Sequence, residues 1–138
     1  MIDTLIRWLR RRRFPRADPA ATVIAFNGCI NARDVRGLAA LMAQDHTFID
    51  TAGGVVAGRS AAIAAWTGFF AQFPDYRNVF DTVRVHHDRV VVRGRSVCSV
   101  DVLDGPVLWS AKVADGVVTE WRVHDDTSEH RAALGVDA

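Results

Sequence analysis

Apolar side chains recur every three or four residues through the first half of the chain, and this spacing predicts three helices. Asp18, Asp34 and Ser60 stand where the helices would begin, and such side chains cap helix N-termini by accepting backbone N–H bonds. A short strand is predicted over residues 46–51, between the second and third helices. The predicted inner stripes are Val23, Phe26 and Ile30, then Val35, Leu38, Leu41 and Met42, then Ile63, Trp66, Phe70 and Phe73.

Apolar and polar positions alternate in the second half of the chain, which is the period of strands with one buried face. The Asp-Gly pairs at 104–105 and 115–116 favour tight hairpins, because both residue types tolerate positive φ. Helices followed by such a meander indicate an α+β fold, in which a curved antiparallel sheet wraps around three helices from the N-terminal half. The predicted strands cover residues 79–87, 89–103, 107–114 and 117–125.

A glycine in the longest predicted strand decides which later residues face the helices. Gly94 favours a β-bulge, which would reverse the alternation and turn Val97, Ser99 and Asp101 inward. Without that bulge, Asp101 is an exposed charge. With it, sheet and helices form a cone around an apolar pocket for a small apolar molecule, unless side chains fill the cone completely. The residues expected inside are Phe26, Phe48, Trp66, Phe70, Val97, Ser99, Trp109, Trp121 and Val123.

Composition fits one globular domain with a basic extension. The 138 residues are 49% hydrophobic and 24% charged, which excludes general disorder. Six arginines and one aspartate give residues 1–16 a net charge of +5, so the remaining residues carry −4. We therefore distinguish an arginine-rich arm, residues 1–17, from an α+β domain, residues 18–138. Cys29 and Cys98 are too few for a disulfide scaffold or a zinc site and indicate reduced thiols in a cytoplasmic protein.

The arm has three interpretations. Apolar residues at helical spacing beside the arginines favour an amphipathic helix on an anionic membrane surface, which makes such a surface a candidate partner of residues 1–16. The same charge suits nucleic-acid phosphates. A solvated extension is the third interpretation. Apart from the arm, no feature suggests nucleic acid as a partner.

Two segments carry a family resemblance, DHTFIDTAGGVVAGRSAAIAAW and the closing GVVTEWRVHDD. The first places a strand with an acidic residue before a Gly-Arg pair and a helix, and the second is similar to a final strand. Over residues 18–134 the chain resembles the nuclear transport factor 2-like superfamily, especially its SnoaL-like polyketide cyclases and ketosteroid isomerases. The resemblance implies the cone fold and a homodimer formed through the open sheet face.

The resemblance also assigns expected roles to individual residues. Asp50 falls where ketosteroid isomerases keep the carboxylate that abstracts a proton. Phe26 and Trp109 fall where those enzymes keep two oxyanion donors, although Phe26 has no donor and Trp109 has only an indole N–H. In the limonene epoxide hydrolase branch, Asp101 matches one catalytic aspartate, while Ser99 and Val123 replace an arginine and the other aspartate.

Asp50 is the candidate catalytic base. It shares a predicted strand face with His46 and Phe48, and we expect desolvation there to raise its pKa towards neutrality. Asp101 would serve as the acid or would polarise the carbonyl of the substrate. The reaction would be proton transfer next to that carbonyl, as in an isomerase, cyclase or dehydratase. No metal or organic cofactor is expected. The alternative for Asp50 is a strand-end acid satisfied by backbone N–H groups of the following Gly-Gly loop.

A second function class stays open beside the enzyme. The chain would then be a non-catalytic ligand-binding or dimerisation module of the same fold. Four polar side chains on the predicted outer sheet face suit a self-complementary surface between two copies. These four residues are Arg84, Lys112, Glu120 and Arg122.

Overall fold

A computed structural model describes residues 18–136 of the chain. The predicted basic arm, and with it the candidate membrane contact, lies outside the described residues. The elements are α1 (Pro19–Ala32), α2 (Val35–Leu41), β1 (Met42–Ile49), β2 (Val55–Ala57), α3 (Arg59–Gln72), β3 (Arg77–His86), β4 (Arg89–Val97), a 3-10 turn (Asp101–Leu103), β5 (Gly105–Ala114), β6 (Val117–Asp125) and α4 (Ser128–Leu134).

Two of the three predicted helix caps are confirmed. The Asp18 carboxylate accepts a bond from the backbone N–H of Ala20, and the Asp34 carboxylate accepts one from Gly37. Ser60 is not a cap, because α3 already begins at Arg59 and its N-cap is Gly58 at φ 94°. No helix among residues 18–136 is both long enough and apolar enough to cross a membrane.

The six strands form one curved, open sheet, which confirms the α+β class. Its strand order is β2-β1-β6-β5-β4-β3, and the meander from β3 to β6 is antiparallel as predicted. The sheet as a whole is mixed, because β1 pairs with β6 in parallel. The short β2, which lies where only a loop was predicted, pairs antiparallel with β1.

The bulge lies opposite Gly94 and not in its strand. Phe80 pairs with Gly94 and Thr82 with Arg93, so Asp81 of β3 is the extra residue. Gly94 is required there because a Cβ would overlap the carbonyl oxygen of Val79. The pairing of β4 with β5 is continuous, so the alternation along β4 never reverses. The buried Val90, Val92 and Ser96 therefore share the inner face, and the expectation that Val97 faces inward is wrong.

The longest predicted strand ends early. β4 stops at Val97, and residues 98–104 form a loop where a two-residue hairpin was predicted. Carboxylates hold this loop: Asp104 accepts from the backbone N–H of Cys98 at 3.0 Å, and Asp75 accepts from that of Ser99 at 2.9 Å. The second predicted hairpin is confirmed, because Asp115 and Gly116 both have positive φ.

The core lies between the inner sheet face and helices α1 to α3. The four odd residues of β5 face inward, as predicted for Trp109, and Trp121 of β6 joins them in the core. The aromatic ring of Phe26 on α1 stacks on the Trp121 indole with ring centroids 4.6 Å apart. These contacts bind α1 to the middle of the sheet. The odd residues of β5 are Val107, Trp109, Ala111 and Val113.

Candidate functional site

An apolar cavity of about 330 Å³ lies between α3 and the inner face of the sheet. Its walls are chiefly aromatic, and its side-chain oxygens belong to three residues, Asp50, Thr51 and Tyr76. The cone is therefore not filled completely by its own side chains, which was the alternative considered from the sequence. The lining consists of Phe48, Asp50, Thr51, Val56, Ala62, Ala65, Trp66, Phe69, Tyr76, Leu103, Trp109, Trp121 and Val123.

Helix α3 supplies one wall through residues spaced three and four apart. Ala62, Ala65, Trp66 and Phe69 all contribute to the lining. The two alanines leave space that larger side chains would occupy. The Trp66 indole packs edge-on against Phe48 of β1, with ring centroids 5.9 Å apart, and this contact joins the helix wall to the sheet.

The sheet supplies the opposite wall from neighbouring strands. Trp109 of β5 lies directly across from Val123 of β6. Phe48 of β1 lies across from Trp121 of β6 in the parallel pair. All four side chains point to the same face, because residues directly opposite in a ladder share a face of the sheet.

Six of the sequence-predicted site residues meet in this cavity: Asp50, Phe48, Trp66, Trp109, Trp121 and Val123. Two further predicted residues lie one layer behind the lining and support it. Phe26 stacks on Trp121, and Phe70 lies against Trp66 with ring centroids 5.4 Å apart.

Three predicted site residues lie outside the lining. Val97 is the last residue of β4 and is half-buried, Ser99 lies in the exposed loop, and Asp101 is exposed on the 3-10 turn. All three were placed inward on the assumption of a long, bulged strand. The physical reason for the difference is that β4 ends at Val97 without changing its alternation, after which the loop bonds of Asp75 and Asp104 turn the chain away.

Asp50 is exposed at the end of β1, so the desolvation expected around it is absent. Its Oδ1 accepts two backbone bonds, from Ala52 at 2.9 Å and from Gly54 at 2.7 Å. This is the bonding expected of a strand-end acid that closes the Gly-Gly loop. Gly54 must stay small, since a Cβ would lie 2.6 Å from Asp50 Oδ2. The carboxylate therefore has one oxygen held by the loop while its residue borders the cavity.

Seven of the lining residues were not among the predicted site residues. Helical spacing signals Ala62, Ala65 and Phe69 once α3 is known to face a cavity. Leu103 belongs to the loop whose conformation was predicted as strand, and Tyr76 lies in a connection with no periodic pattern. The remaining two, Thr51 and Val56, come from the β1–β2 hairpin.

Among residues 18–136, no group of three or more His, Cys, Asp or Glu side chains converges as metal ligands would.

The chain matches the family model of the SnoaL-like domain over residues 23–126. It is a member of the SnoaL-like domain family. The structural neighbours show the nuclear transport factor 2-like fold that the resemblance implied. The match covers most of the described residues, including every strand and the whole cavity lining. No curated protein matches the sequence of this SnoaL-like domain.

Solved structures share the fold at low sequence identity. A protein from Sinorhizobium meliloti proposed to be a polyketide cyclase has a TM-score of 0.69 and 17% identity, covering 75% of this chain and 94% of its own. IdmH from Streptomyces antibioticus, also proposed to be a polyketide cyclase, has a TM-score of 0.66 and 21% identity, covering 87% and 100%. An epoxide hydrolase of the LEH-like type from M. tuberculosis has a TM-score of 0.68 and 14% identity, covering 77% and 80%. These likenesses show the fold alone.

Proposed function

We propose that this SnoaL-like domain binds a small apolar molecule in the cavity under its sheet. The observation that carries the proposal is an aromatic cavity of about 330 Å³ that the protein's own side chains leave open. This volume lies at the small end of the range for ligand pockets, which is about 300–1,000 Å³. Flat aromatic walls favour a flat ligand, and the size suits one or two rings.

We further propose that Asp50 removes a proton next to a carbonyl of that ligand. Asp50 is the one carboxylate in the lining, and the two N–H bonds to its Oδ1 hold the carboxylate in place. Its exposure gives a route for the proton to reach water after abstraction. Trp109 of β5, two strands along the sheet from β1, supplies the donor for the developing oxyanion, since its indole N–H can only donate.

This chemistry agrees with what the structural neighbours are proposed to do. An aldol cyclisation begins with abstraction of a proton next to a carbonyl, and so does a ketosteroid-type isomerisation. Both reactions need a base and an oxyanion donor and no organic cofactor. Asp101 receives no role in this proposal, because it lies outside the lining.

The test uses 2-tetralone, a two-ring ketone with acidic protons beside its carbonyl. Proton NMR in deuterated water would follow replacement of those protons by deuterium. The native protein is expected to accelerate the exchange, and Asp50→Asn to lose about 100-fold or more of the acceleration. The side-chain amide of this variant keeps an oxygen that accepts the same loop bonds, so the fold of the hairpin is retained. Asp101→Asn, at an exposed acid outside the cavity, is the matched control and should exchange like the native protein.

Two results would separate the parts of the proposal. If 2-tetralone binds but Asp50→Asn exchanges as fast as the native protein, Asp50 is not the base and a ligand-binding module remains. If apolar two-ring probes do not bind at all, the cavity has no ligand function of this kind.

A dimerisation role is the second candidate, and the register of the sheet favours it. Lys112 lies directly across from Glu120, Arg122 lies beside them on the same outer face, and Arg84 lies across from Val91 of β4. This places charges of both signs on the face that a second copy would meet. Light scattering tests the proposal: a mass of twice 15.2 kDa supports it, and a mass of 15.2 kDa contradicts it.

A further inference from the structure

Tyr76 is one of the three residues of the cavity lining that carry a side-chain oxygen, and the one with a phenol hydroxyl. It is the one tyrosine of the chain, it belongs to the lining, and it is 8% exposed. Its ring packs edge-on against Phe69 with ring centroids 4.8 Å apart, which fixes the ring plane. Its hydroxyl lies 3.0 Å from Ser96 Oγ on β4.

The direction of the hydrogen bonds around Tyr76 follows from the chemistry of its neighbours. Asn78 Oδ1 can only accept, so Ser96 Oγ, 2.9 Å away, gives it its single proton. Ser96 Oγ then accepts from the Tyr76 hydroxyl. Burial raises the pKa of Tyr76, so the side chain is a neutral phenol with one proton at neutral pH. That proton is committed to Ser96. The Asn78 side chain also acts on the phenol and opposes the effect of burial on its pKa, but Asn78 Nδ2 has no hydrogen-bond partner among the described residues, so the phenol oxygen keeps a lone pair that can accept.

Helix α1 holds the far end of this chain of bonds. Asn31 Oδ1 accepts from the backbone N–H of Asn78 at 2.8 Å, and Asn31 Nδ2 donates to the Asn78 carbonyl at 2.9 Å. Asn27 Nδ2 donates to the same carbonyl at 3.4 Å. These bonds fix the backbone of Asn78, and with it the position of the side-chain amide that accepts from Ser96. The fold therefore sets the direction of the hydrogen bonds, from Tyr76 to Ser96 to Asn78.

Tyr76 and Asp50 mark different sides of the cavity. Asp50 follows β1, whereas the Tyr76 hydroxyl is bonded to β4, and β6 and β5 lie between those strands. Three inter-strand steps of about 4.8 Å separate β1 from β4. The Trp121 and Trp109 side chains of the two intervening strands cover the apolar wall between the polar groups.

We infer that Tyr76 determines specificity by accepting a hydrogen bond from a ligand hydroxyl or N–H on the side of the cavity away from Asp50. The inference rests on the proposed binding function and names the ligand class more closely: a small aromatic or alicyclic molecule with a donor group on its apolar body. A carbonyl at this position is disfavoured, because the one proton of Tyr76 already points to Ser96.

The test compares two probes that differ by one hydroxyl, 2-naphthol and naphthalene, on the native protein and on Tyr76→Phe. Affinities would be measured by quenching of tryptophan fluorescence. The native protein is expected to prefer 2-naphthol by about 3- to 10-fold more than Tyr76→Phe does, the size of one neutral hydrogen bond. The quantity compared is the ratio of the 2-naphthol affinity to the naphthalene affinity in each protein. A general weakening of binding in the variant lowers both affinities and therefore leaves this ratio unchanged.

A second variant tests the direction of the bond. Ser96→Ala leaves the Tyr76 hydroxyl in place but removes the acceptor of its proton, so Tyr76 can then donate to a ligand carbonyl, and 2-tetralone should bind more tightly relative to naphthalene than it does to the native protein. An unchanged preference for 2-naphthol in Tyr76→Phe overturns the inference, and an unchanged ratio of 2-tetralone to naphthalene affinity in Ser96→Ala overturns its hydrogen-bond direction. Failure of both probes to bind the native protein would instead contradict the proposed binding function.

Discussion

The imidazole Nδ1 of His46 lies 2.8 Å from the carbonyl oxygen of Val118, where the parallel pairing of β1 with β6 is interrupted. A carbonyl only accepts, so Nδ1 carries the proton and donates it. The side chain thus bonds β1 to β6 where the register between Met42 and Thr47 is irregular. His46 is fully buried and packs on Phe26, and its Nε2 has no partner among the described residues.

This arrangement predicts a protein that loses stability in mild acid. Burial lowers the pKa of His46, although the Val118 bond and the charges of Asp45 and Glu120 oppose the shift. Burial also lowers the pKa of His124 to about 4, with Arg122, His130 and Arg89 adding to the effect. Below pH 6.5 the unfolded chain takes up protons at these positions that the folded chain does not. The free energy of unfolding should therefore be highest above about pH 6.5 and decrease as the pH falls towards about 4, by at most about 1.4 kcal/mol per pH unit for each group.

Urea denaturation at about pH 7.5, 6 and 5 measures this dependence. His46→Asn retains an amide donor at the position of Nδ1 for the Val118 carbonyl but cannot be protonated, so its stability should decrease less steeply with acid than that of the native protein. His124→Gln is the corresponding variant at the second histidine whose pKa is lowered. Equal slopes for the native protein and both variants would show that neither histidine is responsible.

Gly94 should be the least tolerant glycine in the sheet. An alanine Cβ there meets the backbone carbonyl of Val79, which cannot move without disturbing the bulge at Asp81. Gly94→Ala is expected to destabilise the protein by about 2–3 kcal/mol. Gly68→Ala is the control, because Gly68 lies exposed in α3 with nothing within 4 Å of an added Cβ. It should stabilise by up to about 1 kcal/mol through helix propensity, and thermal unfolding of both variants measures the contrast.

A larger side chain at Ala65 should block the cavity without harming the fold. Ala65 lines the cavity on an exposed turn of α3, and a leucine there would occupy ligand space. Ala65→Leu is expected to weaken naphthalene binding by at least about 10-fold while unfolding at a temperature close to that of the native protein. Ala64→Leu places the same group on the neighbouring exposed position outside the lining. Similar affinities in the two variants would place the ligand elsewhere.

Local patterns predicted the parts of the fold that depend on local physics. Alternation alone placed Trp109 inward in β5, because a half-buried strand must keep one face apolar. The aspartates before α1 and α2 predicted their caps, because helix starts need acceptors for free N–H groups. The same patterns led to most of the sheet wall of the cavity.

The errors arose where distant residues decide the outcome. The parallel pairing of β1 with β6 joins strands that are far apart in the sequence, and no local signal reports it. Gly94 did mark a bulge, but the extra residue is Asp81 on the partner strand, so the alternation of β4 and the position of Asp101 were predicted incorrectly. Tyr76 gave no periodic signal, because its place in the cavity depends on where α3 ends and on Ser96 across the sheet.

The central claim is that a small apolar molecule occupies the cavity between Trp66, Trp109 and Trp121. Titration of the ¹⁵N-labelled protein with naphthalene, followed through the indole N–H resonances, tests it most directly. We predict that the resonances of these three tryptophans shift together and saturate with one affinity, and that Ala65→Leu abolishes the shifts. Resonances that stay unchanged, or that drift linearly without saturation in both proteins, would contradict the claim.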